Sequence, residues 1–501
     1  MNKNLIANYF GSAWSAIIGI IFLPIYLKYL GFEAFALIGL FTSLQAFLSL
    51  LDMGITPTLS REIARLNSND SLLAGESIHD LLKSVEFIVV ALVIFLVTTI
   101  VISSNWIADY WLNSESISSE TVAISIVIMA FVLALKYIEG IYRSALFALE
   151  RQVYFNVVNS IITTTRVLGV VFILMWISPT ITAFFYWQGA VSIVFILLLR
   201  KKTYSSLPLI SRTGLFSTKS IKIVFQFASG MMIINLLKVA ITQTDKILLS
   251  KLLPLKEYGS FTFVNAFAVG LFVLIGPITQ TFYPKFCRDY VRNNNDGLKN
   301  DFRLSSQLVS VIPGSIAIVI IFFSESILQI WTNNIEIANK YAPLLSILMI
   351  GNLLNGLAWV PYQIQLAIGL TRNIIFVNCI SIVIIVIGNL WFTPEYGAMG
   401  AACVWLFCNC GILAMNLFFI IKKAPFIFSW PAFFRDTILP LGVASITAIL
   451  LSFFWQKHFS IWIDLFLVAI VLSLTFLSAL LVTNKLWPLL FNIIRKKSYF
   501  R

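Results

Sequence analysis

The sequence predicts an all-α integral membrane protein with about fourteen transmembrane helices, and three features carry that prediction. Composition is the first. The 501 residues are 59% hydrophobic and 11% charged, with a mean hydropathy of +0.91, whereas a soluble globular domain carries about 25% charged residues. The second is the recurrence, from end to end, of apolar runs of about 18 or more residues, long enough to cross a hydrocarbon core of about 30 Å as helices. Short alternating segments of the barrel type do not occur. The third is the placement of Lys and Arg between those runs.

In chain order the expected spans lie near 8–30, 36–58, 84–104, 120–141, 155–177, 180–199, 223–250, 258–283, 305–323, 341–364, 374–392, 398–421, 436–455 and 460–483. The first begins after a short N-terminus bearing Lys3 and contains Pro24, and is read as a retained helix rather than a cleaved signal. With the N-terminus inside, alternation leaves only Lys28, Lys246, Lys251, Lys256, Lys340 and Lys457 outside, and Lys136, Arg166 and Lys238 within spans. The rest of the 35 Lys and Arg fall on the inside. Such a bias is the positive-inside rule. It places both termini in the cytoplasm and reads the net charge of +13 as topology control rather than a nucleic-acid surface.

The two halves echo each other. Ala148-Leu149-Glu150-Arg151-Gln152 follows the fourth span and Gly369-Leu370-Thr371-Arg372-Asn373 the tenth; Ile107-Ala108-Asp109-Tyr110-Trp111-Leu112-Asn113 resembles Ile327-Leu328-Gln329-Ile330-Trp331-Thr332-Asn333 at nearly the same offset. A six-helix period keeps the copies in one orientation, so the repeat is parallel. The expected organisation is a six-helix lobe over 1–200, a basic cytoplasmic linker over 201–222, a second six-helix lobe over 223–421, an extra helix hairpin over 436–483 and a basic cytoplasmic tail over 484–501.

A charge at the bilayer centre costs about 2.5–3.5 kcal/mol or more, so charges that persist there should face a cavity or a partner. The candidates are Asp52; Lys136, Glu139 and Arg143, which share a helix face; Arg166; and Lys238, Asp245 and Lys246. Pairing of Glu139 with Lys136 or Arg143 would be purely structural, and Arg143 and Lys246 could snorkel. Arg166 and Lys238 have no partner in their own spans. Bases outnumber acids in this set, which suits an anionic ligand; a diphosphate fits, since Arg and Lys both bind phosphate oxygens. Helix breakers Pro24, Pro57, Pro277, Pro313 and Pro361 and the polar residues Gln280, Asn352, Asn355, Gln363 and Gln365 also sit in or near spans.

Enzyme chemistry finds little footing. There is no phosphate-loop motif and no H-E-x-x-H, and the histidines are His79 and His458. The five cysteines have no zinc spacing, and no outer loop is long enough for a catalytic domain.

Several stretches resemble a known family. They are Thr244-Asp245-Lys246-Ile247-Leu248-Leu249 with Leu253-Pro254-Leu255-Lys256-Glu257-Tyr258-Gly259-Ser260-Phe261; Tyr29-Leu30-Gly31; Leu51-Asp52-Met53-Gly54-Ile55 with Arg61-Glu62-Ile63-Ala64; and Glu395-Tyr396-Gly397-Ala398-Met399-Gly400-Ala401-Ala402. Together they resemble the polysaccharide transporter family, which includes Wzx-type O-antigen flippases of the multidrug/oligosaccharidyl-lipid/polysaccharide exporter superfamily. Pro254 departs from the glycine common there, which bears on loop shape.

The resemblance implies two six-helix lobes around a central cavity, alternating access, and movement of an undecaprenyl-diphosphate-linked oligosaccharide from the inner to the outer leaflet of the inner membrane. On that reading Arg61, Lys136, Arg143, Arg166 and Lys238 line the cavity as cations, while Asp52, Glu139 and Asp245 balance charge or couple to an ion. No cofactor or metal is expected, and a proton or sodium gradient is a candidate second driving force. The expected partners are the lipid-linked oligosaccharide, the bilayer, and polysaccharide polymerase and chain-length proteins, with no nucleic acid. The alternatives are a cation-coupled drug exporter of the same superfamily, whose cavity should favour acids, and a membrane-embedded polymerase or glycosyltransferase.

Overall fold

The computed structural model describes residues 11, 14–51, 55–67, 72–208, 214–218, 239–240, 242–455 and 461–488. Among them there is no strand beyond one isolated bridge, Asn113 with Pro254. Helices dominate because a chain this apolar, in lipid, must satisfy its backbone polar groups within each segment.

The helices are α1 (Leu23–Leu51), α2 (Ile55–Asn67), α3 (Leu72–Trp106), α4 (Ser119–Ala148), α5 (Gln152–Trp176), α6 (Ile181–Ser206), α7 (Leu255–Ala268), α8 (Phe272–Val291), α9 (Asn295–Phe322), α10 (Ser324–Thr332), α11 (Ile335–Ala367), α12 (Thr371–Lys423), α13 (Leu439–Phe453) and α14 (Ile461–Leu481). Among the described residues, eleven helical segments are long and apolar enough to cross a membrane. The 53-residue α12 covers two expected spans, folded at Gly397 (φ 58°), and α1 joins the end of the first expected span to the second across Gly31 (φ 76°). Positive φ at both points is a conformation glycine adopts without a Cβ clash. The seventh expected span lies largely outside the described residues, so the total of fourteen remains an expectation.

Side chains fix where the helices start. Ser118 accepts from the Thr121 N–H, Thr180 from Ala183, Asn294 from Gly297, and Asn334 from both Glu336 and Ile337, each satisfying a donor that the first turn leaves open.

The sequence echoes have structural counterparts. At the end of α4, the Arg151 N–H donates to the Leu146 carbonyl (2.8 Å) around a left-handed Glu150. At the end of α11, the Leu370 N–H donates to Gln365 (2.8 Å) around a left-handed Gly369. Both are Schellman-type endings. The upstream echo is a π-helical turn, Ile107–Trp111, after α3 and the short α10 after α9.

The chain forms two compact units, Met1–Phe263 and Val264–Arg501. In the first, α4 packs on α2, α3 and α6; in the second, α11 packs on α8, α9 and α12. Ile55, Leu59 and Ile63 of α2, Ile78, Leu82 and Val85 of α3, and Ile141 and Ala145 of α4 form one buried core of the first unit. In the second, Val311 and Ile318 of α9 meet Ala444 and Ala448 of α13 and Val471 and Ala479 of α14, so the C-terminal hairpin is sealed onto α9.

Pro254, the departure noted in the sequence, opens α7. Its carbonyl accepts from the Glu257 and Tyr258 N–H groups, while the Leu255 N–H donates to Asn113. One turn on, a Cβ at Gly259 would lie 1.9 Å from the Phe32 carbonyl oxygen. Backbone cannot yield cheaply to such an overlap. Gly259→Ala is therefore expected to cost about 1–3 kcal/mol, read as a lower melting midpoint of the detergent-solubilised protein; an unchanged midpoint would show that α7 does not approach Phe32 this closely.

Candidate functional site

An ion pair of the first unit sits where α4, α5 and α6 meet. Arg166 on α5 donates through Nη2 to Glu139 Oε1 on α4 (2.7 Å) and to Ser192 Oγ on α6 (2.8 Å). Its guanidinium also lies over the Phe195 ring, 5.8 Å from the centroid. Arg166 and Glu139 are 12% and 13% exposed, and Arg166 Nε is buried with no hydrogen-bond partner among the described residues. The partner that Arg166 lacks in its own span is thus supplied by the neighbouring one. The sequence-level pairing of Glu139 with Lys136 or Arg143 gives way to Arg166, because the Glu139 carboxylate turns toward α5.

Lys136 stands one turn before Glu139. Its Nζ lies 5.9 Å from the Phe41 ring centroid, a cation–π distance. Lys136, Glu139 and Arg166 together carry one net positive charge, since the ion pair cancels internally and Lys136 does not. An arginine with a free N–H beside an ammonium is chemically suited to an anionic oxygen.

The remaining predicted residues are dispersed. Arg143 is exposed and covers the Phe147 and Phe155 rings at 5.4 and 5.6 Å. Arg61 lies on the exposed face of α2, near the Arg65–Glu62 pair. Asp245 has a buried Oδ1 without a hydrogen-bond partner among the described residues, and Lys246 reaches Gln243 Oε1 at 3.5 Å. Asp52 and Lys238 lie outside the described residues.

Some polar sites were not singled out from the sequence. Glu33 is buried behind Gly31 and accepts four hydrogen bonds of 3.0–3.2 Å from the N–H groups of Glu115, Ser116 and Ile117, tying α1 to the loop before α4. Glu86 on α3 accepts from Tyr142 (3.0 Å) and Tyr204 (2.9 Å) and pairs with Lys83. In the second unit Asp436, 2% exposed, is held by Arg303 and Gln307. The signal available was an acid in or beside an apolar run, and apart from Lys83 its partners lie too far away in sequence to be read. Among the described residues no group of three His, Cys, Asp or Glu could hold a metal.

Comparison with known proteins bears on this arrangement. The chain is 22% identical over 414 residues to a Shigella flexneri protein named as a candidate O-antigen transporter, covering 80% of this chain and 93% of that one. Its fold is similar to that of the lipid II flippase MurJ in an inward closed conformation, with a TM-score of 0.70 and 16% identity over 94% of this chain and 97% of that one. It is also similar to an inward-facing multidrug resistance MATE family transporter of the MOP superfamily, with a TM-score of 0.63 and 12% identity over 82% and 94% of the two chains. Residues 1–288, more than half of the chain, match the family described as polysaccharide biosynthesis protein. The chain belongs to that family, and its all-α membrane architecture is the one found in MOP-superfamily transporters.

Proposed function

We propose that this protein is a transporter, not an enzyme, and that it flips a lipid-linked polysaccharide unit across the membrane. The finer reading is an undecaprenyl-diphosphate-linked oligosaccharide, O-antigen or a related repeat unit, moved from the inner to the outer leaflet of the inner membrane by alternating access. Both termini would be cytoplasmic, and a polymerase and chain-length proteins would take the product. The observation that carries the reading is the uncancelled Lys136 beside the Arg166–Glu139 pair at bilayer depth. A net positive site there is costly unless it meets an anion, and a diphosphate is a doubly charged one. The relative's name and the flippase fold point the same way.

Lys136 and Arg166 contact the diphosphate in this scheme, while the polyprenyl tail stays in lipid. Arg61, Arg143 and Lys238 extend the cationic lining, and Asp52, Glu139 and Asp245 balance it or couple to a proton or sodium ion. A negative cytoplasm favours outward movement of phosphate by about 2.3 kcal/mol per charge per 100 mV.

Losing one charged hydrogen bond costs about 1.5–3 kcal/mol, or about 10- to 100-fold in binding. Lys136→Ala is thus expected to abolish most complementation of a deletion strain and to leave lipid-linked repeat units accumulating on the inner leaflet, while Lys136→Arg retains function. Full complementation by a normally inserted Lys136→Ala protein would remove the diphosphate assignment. The MATE likeness favours one rival, a cation-coupled drug exporter; there, Lys136→Ala should raise transport of organic cations.

A further inference from the structure

In the second unit, α11 and the second half of α12 make a different kind of site. Asn355 donates through Nδ2 to Asn409 Oδ1 (2.6 Å), and its own Oδ1 accepts from the Trp359 indole N–H (2.9 Å). One turn away, Asn352 Oδ1 accepts from the Trp405 indole (2.9 Å). The Trp359 ring is stacked on Phe272 of α8, with centroids 5.7 Å apart and planes inclined by 20°. Trp359, Phe272 and Asn355 are half-buried, whereas Asn352 is 1% exposed.

Two buried amide atoms on this seam have no partner among the described residues: Asn352 Nδ2, a donor, and Gln365 Oε1, an acceptor further along α11. A buried polar atom left unpaired costs about 1–3 kcal/mol, more than a seam built only for packing should carry. Neither 341–367 nor 398–421 contains a Lys, Arg, Asp or Glu.

An open amide donor two turns from a half-open indole, with an open amide acceptor further along the same helix, suits one ligand chemistry. A neutral sugar ring presents hydroxyls that both donate and accept, together with C–H faces that lie on aromatic rings. An organic cation would want a carboxylate, and a hydrocarbon chain would not want the amides. The contrast with the first unit is informative. By the internal repeat, α11 holds the place that α4 holds there, yet α4 carries Lys136 and Glu139 where α11 carries amides and tryptophan. We infer that the Asn352–Asn355–Trp359 seam is a glycan subsite that binds a neutral sugar ring of the lipid-linked substrate. The inference rests on the flippase reading and adds a sugar-sensing role to a chain whose other half binds the phosphates.

The test uses full-length protein in nanodiscs and two probes: undecaprenyl diphosphate without sugar, and the same lipid bearing its repeat unit, extracted from transporter-deficient cells. Trp359→Leu is expected to weaken the sugar-bearing lipid about tenfold while leaving the sugarless lipid within about twofold. Trp359→Phe, which keeps an aromatic face, should retain most of the affinity, and Lys136→Ala should weaken both probes. Should Trp359→Leu not fold, Asn355→Ser must give the same selective loss. Equal weakening of both probes, or of neither, overturns the subsite, as does a wild-type protein for which the sugar adds no affinity. A wild type that binds neither lipid overturns the flippase reading and the subsite with it.

Discussion

Arg166→Leu is expected to destabilise the folded protein by about 3–5 kcal/mol, the cost of removing one partner from a buried ion pair. The Glu139 carboxylate would lose a 2.7 Å bond while remaining 13% exposed in an apolar helix bundle. Lys136, one turn away, offsets part of this, which favours the lower end of the range. Ser192 loses only a neutral hydroxyl contact, and Ser192→Ala should cost about 1 kcal/mol. The diagnostic variant is the double one. Glu139→Leu with Arg166→Leu removes both charges, leaves the net charge unchanged and replaces the pair by apolar volume, an exchange that is often neutral or stabilising. Thermal melting followed by size-exclusion fluorescence should therefore rank wild type and double variant together, with Arg166→Leu well below. A single variant as stable as wild type would mean that the α4–α5 ion pair does not form in the membrane. The double variant also separates packing from transport: if it folds and fails to complement, the Arg166–Glu139 pair serves transport and not packing alone.

The same pair shows where the sequence stops being informative. Helix existence was legible because apolar runs have one stable form in lipid, whereas the capping residues Ser118, Thr180, Asn294 and Asn334 emerged only from the structure. Gly397 separated two expected spans in the sequence and separates them in space. Which charge meets which was not legible. Glu139 and Arg166 are 27 residues apart on different helices, and their meeting depends on helix rotation and crossing, which periodicity within one span does not encode. Helical spacing favoured Glu139 with Lys136 or Arg143, and the inter-helix geometry chose Arg166. Asn352 and Asn355 were visible as polar residues in a span, but Trp405 and Asn409 were not visible as their partners, since those contacts arise only once α11 lies along α12.

Asp436→Ala should produce the other large effect, and a local one. The carboxylate is 2% exposed and accepts from Arg303 Nε (2.5 Å), Arg303 Nη2 (3.3 Å) and Gln307 Nε2 (2.7 Å). Gln307 also donates to Asn484 Oδ1 (2.9 Å) and accepts from the Leu486 N–H (3.1 Å). One acid thus links the segment entering α13, the middle of α9 and the chain leaving α14. Removing it strands Arg303, which is only 16% exposed, and the expected cost is again about 3–5 kcal/mol. Asp436→Asn keeps the shape and one acceptor while losing the charge, so about 1.5–3 kcal/mol is expected. Because the network is confined to the hairpin and α9, hydrogen exchange should rise in 436–455 and 484–488 while α3 to α6 keep their protection. Exchange that rose uniformly would assign Asp436 to global stability. Exchange that did not change would remove it from the anchoring of the hairpin, leaving the apolar contacts of α13 and α14 with α9 to hold the two helices.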